Sequence, residues 1–165
     1  MPLFKKSAQT AQAISAGEAF ILWSHLLTRY QNLEMSAVYQ NFIHDVEFKM
    51  LVARGMRQSL DAEIKQLEGK LNYYGIPLPP RPPQTINTPT NTEVIRDEFI
   101  YQQILSGMRS FLNIHTSDLR VILNDDLRAM FTGFLTRELE VYDDLVKYGK
   151  LKGWLGNPPA YRPAQ

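Results

Sequence analysis

The chain has 165 residues and a mass of 19.0 kDa, enough for one domain to bury a core without covalent staples. Its 18 basic and 17 acidic side chains are interleaved and leave a net charge of +1, so no global field draws it to nucleic acid or anionic lipid. The absence of cysteine excludes disulfides, thiolate metal sites and thiol nucleophiles together.

The opening stretch MPLFKKSAQTAQA carries two lysines but no apolar run behind them, and does not read as a signal peptide. Nowhere does an apolar run approach the length of a membrane span. A cytoplasmic protein without a membrane span is the expectation.

The first helix is predicted over about 16–42. Ser15 and Glu18 make a capping box, with Ile14 and Ala19 placed as a hydrophobic staple. At about 100° per residue, Ala19, Trp23, Leu26, Tyr30, Leu33 and Ala37 share one stripe. A tight turn through His44 follows, and Asp45 is the predicted N-cap of a second helix over 46–74. Ala53, Met56, Leu60, Ile64, Leu67, Leu71 and Tyr74 form its apolar face, and Gly75 stops it.

Residues 76–92, IPLPPRPPQTINTPTNT, hold six prolines and cannot be helical. Thr90 to Glu93 reads as a second capping box that opens helix three, 93–122, with Val94, Tyr101, Ile104, Met108, Phe111, Leu112, Leu119 and Ile122 facing inward. Asn124 caps helix four, 125–149, whose stripe is Leu127, Phe131, Phe134, Leu135, Val141, Tyr142 and Leu145. Gly149 and Gly153 break that pattern, and 156–165 reads as a loose tail.

No strict alternation of apolar and polar residues competes with this pattern, so the expected fold class is all-α, a four-helix bundle in one domain over 1–165. The two short turns make helices one and two, and three and four, antiparallel neighbours. The 76–92 link is stiffened by proline and could span about 50 Å, more than the roughly 40 Å of a 27-residue helix. This predicts a ferritin-like up-down-down-up course with a long proline-rich crossover between helices two and three. The two hairpins also end alike, in Gly75-Ile76-Pro77 and in Gly153-Trp154-Leu155, a faint half-repeat.

Three features carry a resemblance: GEAFILW at the first helix, the GIPLPP exit from the second, and the closing KLKGWLGNPPAYRP. Over about residues 16–163 the chain resembles a ferritin-like four-helix-bundle family of spore-forming bacteria, some of whose members are labelled spore-coat proteins. The resemblance implies a fold and a sporulation context. It brings no established activity.

A ferritin-like outline raises the question of a di-iron site, which takes Glu-x-x-His from each of two helices. The histidines are His25, His44 and His115, and the residues three before them are Leu22, Asn41 and Leu112, so the motif is absent. Three polar residues fall on predicted inward stripes instead: Glu34, Glu138 and His115. In the crossover topology Glu34 and Glu138 share a level, with Arg54 and Arg57 facing them and His115 roughly 15 Å lower. That arrangement reads as a buried ionic network with Arg57, or failing it Arg54, as partner. Glu34, Glu138 and His115 are also the candidate ligands if a metal binds.

His44 and Glu47 read as a turn, and PLPPRPP as structural proline rather than a ligand for an aromatic groove. No nucleophile elbow, catalytic triad or phosphate-cradling loop is present. The expected function is therefore that of a non-enzymatic structural or interaction protein, associated with spore formation, without a cofactor. Its partners would be a second copy of itself or coat proteins, and not nucleic acid. The alternative is a metal- or small-ligand-binding bundle with a non-standard site.

Overall fold

The structure, a computed structural model, describes residues 13–83 and 95–156. These residues form four long helical rods and no strand. Rod one is α1 (Ala16–Phe42); rod two is α2 (Val46–Gly55) continued through a π-turn (Met56–Leu60) into α3 (Asp61–Tyr73). Rods three and four are α4 (Asp97–Val121) and α5 (Asp125–Lys152).

The helix ends follow local chemistry. The Ser15 hydroxyl accepts from the Glu18 amide at 3.1 Å, while the Glu18 carboxylate accepts from the Ser15 amide at 2.8 Å, completing the capping box. Asp45 accepts from Phe48 N–H at 3.0 Å, and Asn124 from Leu127 N–H at 3.1 Å, each satisfying an otherwise orphaned amide. Gly75 lies at φ 68°, with Ile76 N–H bonded to Leu71 O and Gly75 N–H to Asn72 O. Gly153, at φ 71°, repeats that pair through Trp154 N–H to Gly149 O and Gly153 N–H to Lys150 O. Both hairpins thus end in a Schellman motif, where the left-handed residue costs glycine nothing.

Two predicted boundaries move. The fourth helix runs past Gly149 to Lys152. Gly149 is buried inside it because the Tyr101 ring lies where a Cβ would project. The third helix begins at Asp97 rather than at 93, with Arg96 as N-cap. Its predicted Thr90–Glu93 box lies outside the described residues, as do 84–92 of the predicted crossover and 157–165 of the predicted tail.

The π-turn corrects the expected single stripe of helix two. One extra residue is accommodated between α2 and α3, so the buried face passes from Phe48 and Val52 to Ser59, Leu60, Glu63, Ile64, Leu67 and Leu71. Helix one is rotated from its predicted phase as well. Its buried residues are Glu18, Leu22, His25, Leu26, Arg29 and Tyr30, while Trp23 and Leu33 flank them.

The core falls into two apolar clusters. One gathers Leu22, Leu26, Leu67, Leu71, Phe131 and Phe134; the other gathers Ile43, Phe48, Ile100, Tyr101, Leu105 and Leu145. Each such side chain contributes about 1.5–3 kcal/mol on burial. Polar ties fix the rod ends. Glu18 accepts from Leu123 N–H at 2.9 Å and Asn124 N–H at 2.7 Å, joining the start of α1 to the turn before α5. Asp97 accepts from His44 N–H at 2.9 Å and Asp45 N–H at 2.6 Å, and Lys152 Nζ lies 2.7 Å from Asp45, joining the starts of α2 and α4 to the end of α5.

Candidate metal centre

Besides the two apolar clusters, every rod sends charged or imidazole side chains into the interior. His25 and Arg29 come from α1, Glu63 from α3, His115 from α4 and Glu138 from α5, and all five are buried. His25 and Arg29 are four apart on one helix, as are Ser59 and Glu63, so each pair shares a face. Phe111, Phe131 and Phe134 box the imidazoles, with centroids 5.0 and 4.9 Å from His25 for the first two and 6.1 Å from His115 for the third. Such a box removes water and raises the cost of every unpaired charge.

The two imidazoles stack with centroids 4.8 Å apart and planes 18° from parallel, and their Nε2 atoms lie 2.9 Å apart. Behind His25, Nδ1 meets Asp118 Oδ2 at 3.3 Å; behind His115, Nδ1 lies 3.1 Å from Glu138 Oε2. Carboxylates at both Nδ1 positions favour the tautomers protonated there, which turn both Nε2 lone pairs onto one spot. The second contact is close but out of line, so His115 Nδ1 and Glu138 Oε2 lack a hydrogen bond. His25, Glu63 and His115 each offer a ligand atom, all within 4.8 Å of one another.

Arg29 is the cation now among these donors. Its terminal nitrogen pairs with Glu138, lies 2.5 Å from Glu63 Oε2 and 3.2 Å from His115 Nε2, and its Cζ rests 3.7 Å above the Phe111 ring. Ser59 donates to Glu63 Oε1 at 3.1 Å. One guanidinium therefore faces the carboxylates of Glu63 and Glu138, with Asp118 beyond His25.

Protonation follows from burial. Desolvation pushes the Glu63 carboxyl up to about 7 against the pull of Arg29, with Glu138 adding to the rise. Desolvation likewise raises Glu138, and Arg29 opposes it. Burial lowers His25 despite Asp118, and lowers His115 to about 2, helped by the positive fields of His25 and Arg29. Both imidazoles are therefore neutral at pH 7, the form that binds metal.

Of the predicted site residues, Glu138 and His115 are in this cluster and Glu34 is not. Glu34 is exposed on α1, because the buried face is centred on His25 and Arg29 rather than on the flanking Trp23 and Leu33. Arg57 is exposed; Arg54, also exposed, pairs with Asp144 at 2.6 Å. The partner of Glu138 is Arg29. Tyr101 lies in the other apolar cluster and donates to Leu145 O at 3.0 Å. His44 is exposed, with Nδ1 3.6 Å from Asp97.

His115 also proves to be within reach of Glu138. Counted from Leu123 in the turn, His115 is eight residues along α4 and Glu138 fifteen along α5, so their backbones differ in height by about 10 Å. Helical side chains lean toward their own N-terminus. In these antiparallel neighbours that carries His115 away from the turn and Glu138 toward it, and the side chains meet.

Sequence reasoning missed His25, Arg29 and Glu63. The available signal was spacing: His25 lies three residues after Leu22 and one before Leu26, and Glu63 lies one before Ile64. Each borders an apolar residue that is itself fully buried.

A family model described as "Protein of unknown function (DUF3231)" matches residues 4–165. Among solved structures, a crystal structure of a Bacillus halodurans C-125 protein, described provisionally as a spore coat protein, superposes with a TM-score of 0.83. The two sequences are 24% identical, and the match covers 92% of this chain and 97% of that one. At that identity the likeness shows the fold. No curated protein matches the chain.

Proposed function

The chain belongs to the DUF3231 family, and we propose that it is a metal-binding helical bundle holding one divalent first-row transition ion at His25, His115 and Glu63. The observation that carries this reading is the 2.9 Å separation of two Nε2 atoms whose Nδ1 positions are both backed by carboxylates. Two cis ligands with metal–nitrogen bonds of about 2.1 Å stand about 3 Å apart. With both Nδ1 atoms protonated the two Nε2 lone pairs meet in an apolar box, where Arg29 now donates to that of His115. Asp118 and Glu138 are placed as the outer carboxylates that orient ligating histidines. Two imidazoles and one carboxylate, with no thiolate, suit iron(II), zinc or manganese rather than copper(I).

Charge favours the same reading. Glu63, Glu138 and Asp118 carry three negative charges when ionised, and Arg29 with a divalent ion supplies three positive ones. Metal entry requires the terminal nitrogen of Arg29 to leave both His115 and Glu63, while its contacts with Glu138 and the Phe111 ring remain open to it.

The test is metal analysis of protein purified without added metal, followed by calorimetric titration with zinc, iron(II) and manganese. One ion per chain, lost in His25→Ala and in His115→Ala, is the expected result. No stoichiometric binding of any of the three at micromolar concentration would sink the proposal.

A second reading is favoured by the contacts Arg29 already makes. There the guanidinium is the permanent counter-ion, and the protein is a non-enzymatic structural bundle that partners other copies of itself or coat proteins, in the cytoplasm or on the spore. The provisional description of the Bacillus halodurans protein agrees with that setting. None of the described helices is long and apolar enough to cross a membrane.

The bundle itself, one domain over 1–165, follows a ferritin-like up-down-down-up course in this proposal. Support comes from the rod ends: Glu18 meets Asn124 at one end, while Asp45 meets both Asp97 and Lys152 at the other. Ile14, Tyr74, Ile76, Ile122 and Leu127 pack in one cluster. In this course the end of α3 and the start of α4 lie at opposite ends of the bundle.

A further inference from the structure

Beside the polar cluster the interior is not filled. A cleft with about 200 Å³ of free space lies between the four rods, on the side of the cluster away from His25 and His115, and opens to solvent past the exposed Met35, Gln103 and Gly107. Its walls are apolar, formed by Met35, Met56, Met108, Val141 and Leu145 among others. Its polar groups include Arg29, Ser59 and Glu138, which are 3%, 6% and 0% exposed. The space has a local cause. The π-turn widens rod two where Met56 and Ser59 face inward, and Gly55 there has no side chain.

Free space this large forfeits the dispersion contacts its lining would otherwise make. An apolar cavity of about 150 Å³ takes up a benzene-sized molecule, so this cleft has room for a ring carrying one or two further heavy atoms. Three methionines in the lining favour an aromatic ring, because thioether sulfur packs well against ring edges and the flexible side chains adapt to its outline. The buried polar groups select the substituent. Ser59 has its hydroxyl hydrogen committed to Glu63 and can accept from a donor, whereas Glu138 Oε2 is turned to His115 Nδ1. The Ser59 oxygen calls for a donor. The guanidinium of Arg29 already faces two carboxylates, which disfavours an anion.

We infer that this cleft is a binding site for a small neutral phenol, one aromatic ring bearing a single hydroxyl. The ring lies among the methionines and its hydroxyl donates to Ser59. The site goes beyond the metal reading and does not depend on it, since the histidines are not in its lining.

The experiment is calorimetric titration of the whole chain, freed of metal with chelator, with p-cresol, toluene and benzoate. The expected result is saturable binding of p-cresol, about tenfold tighter than toluene for one buried hydrogen bond, and no binding of benzoate. Repeating the titration on His115→Ala separates the two proposals: p-cresol binding should persist there whether or not the wild type holds metal. Val141→Phe fills the cleft and should abolish p-cresol binding. If that variant does not fold, Ser59→Ala serves, and should reduce the preference over toluene. The inference is overturned if p-cresol shows no saturable binding, if toluene binds as tightly, or if folded Val141→Phe and Ser59→Ala both bind p-cresol as the wild type does.

Discussion

The carboxylate of Glu18 in the first turn of α1 accepts the backbone amide of Asn124 at 2.7 Å, while its other oxygen accepts the amide of Ser15 at 2.8 Å. A capping residue thus also anchors the turn that starts α5. Burial pushes this carboxyl up, but bonds from Ser15, Asn124 and Leu123 outweigh it and hold it below its ordinary value. Glu18→Ala should therefore cost more than a lost cap, about 2–3 kcal/mol in a urea melt, because buried amides lose their acceptor. A loss below about 0.5 kcal/mol would mean that water replaces the carboxylate.

Arg29→Met should be the most damaging single change in the centre. It removes the guanidinium between Glu63 and Glu138 and leaves two buried carboxylates, at a cost of about 3–5 kcal/mol. Arg57→Ala, at an exposed position, should stay within about 0.5 kcal/mol of wild type. Adding Glu138→Leu to Arg29→Met should recover part of the loss. Thermal melts of the three proteins check the order, and an Arg57 effect as large as that of Arg29 would refute it.

Asp45 supplies a pH dependence away from the centre. Its bond with Lys152, then its capping bond with Phe48 N–H, hold its carboxyl at about 2, below the ordinary 3.8. A carboxyl depressed in the fold stabilises above its unfolded value and loses that contribution as pH falls through the folded one. The melting temperature of the wild type should therefore fall more steeply than that of Asp45→Asn between pH 4 and pH 2. Parallel curves would show that the carboxylate is not held in this way.

Gly149→Ala should strongly destabilise the protein. A Cβ at this position would fall on the hydroxyl and on ring carbons of Tyr101, a fully buried residue. Overpacking of a filled core costs about 1–3 kcal/mol. Tyr101→Phe should not restore stability, because removing the hydroxyl leaves the ring carbons in place. Restoration in the double variant would show that the hydroxyl alone makes the contact.

The helix ends at Ser15 with Glu18, Asp45, Gly75 and Asn124 were legible because capping is local chemistry that acts within four residues. The centre was not legible, and the reason is physical. A hydrophobic stripe is found by excluding charged side chains, so a buried face that carries His25 and Arg29 is passed over for one drawn through Trp23 and Leu33. Glu63 was passed over in the same way, although it lies three residues after Leu60 and four before Leu67 on the predicted stripe. Glu138 was found because Phe134 and Leu145 on either side are uninterrupted α-helix.

The π-turn makes the length of rod two a reading frame for the centre. A relative one residue shorter between Met56 and Leu60 could close this segment into regular α-helix, which would turn everything after it by about 100° about the rod axis. The four rods would survive such a deletion, but Glu63 would swing out of the donor set and Ser59 out of the cleft wall. Segment length at this one turn, more than overall similarity, should therefore separate chains that keep the buried donors from chains that keep only the bundle.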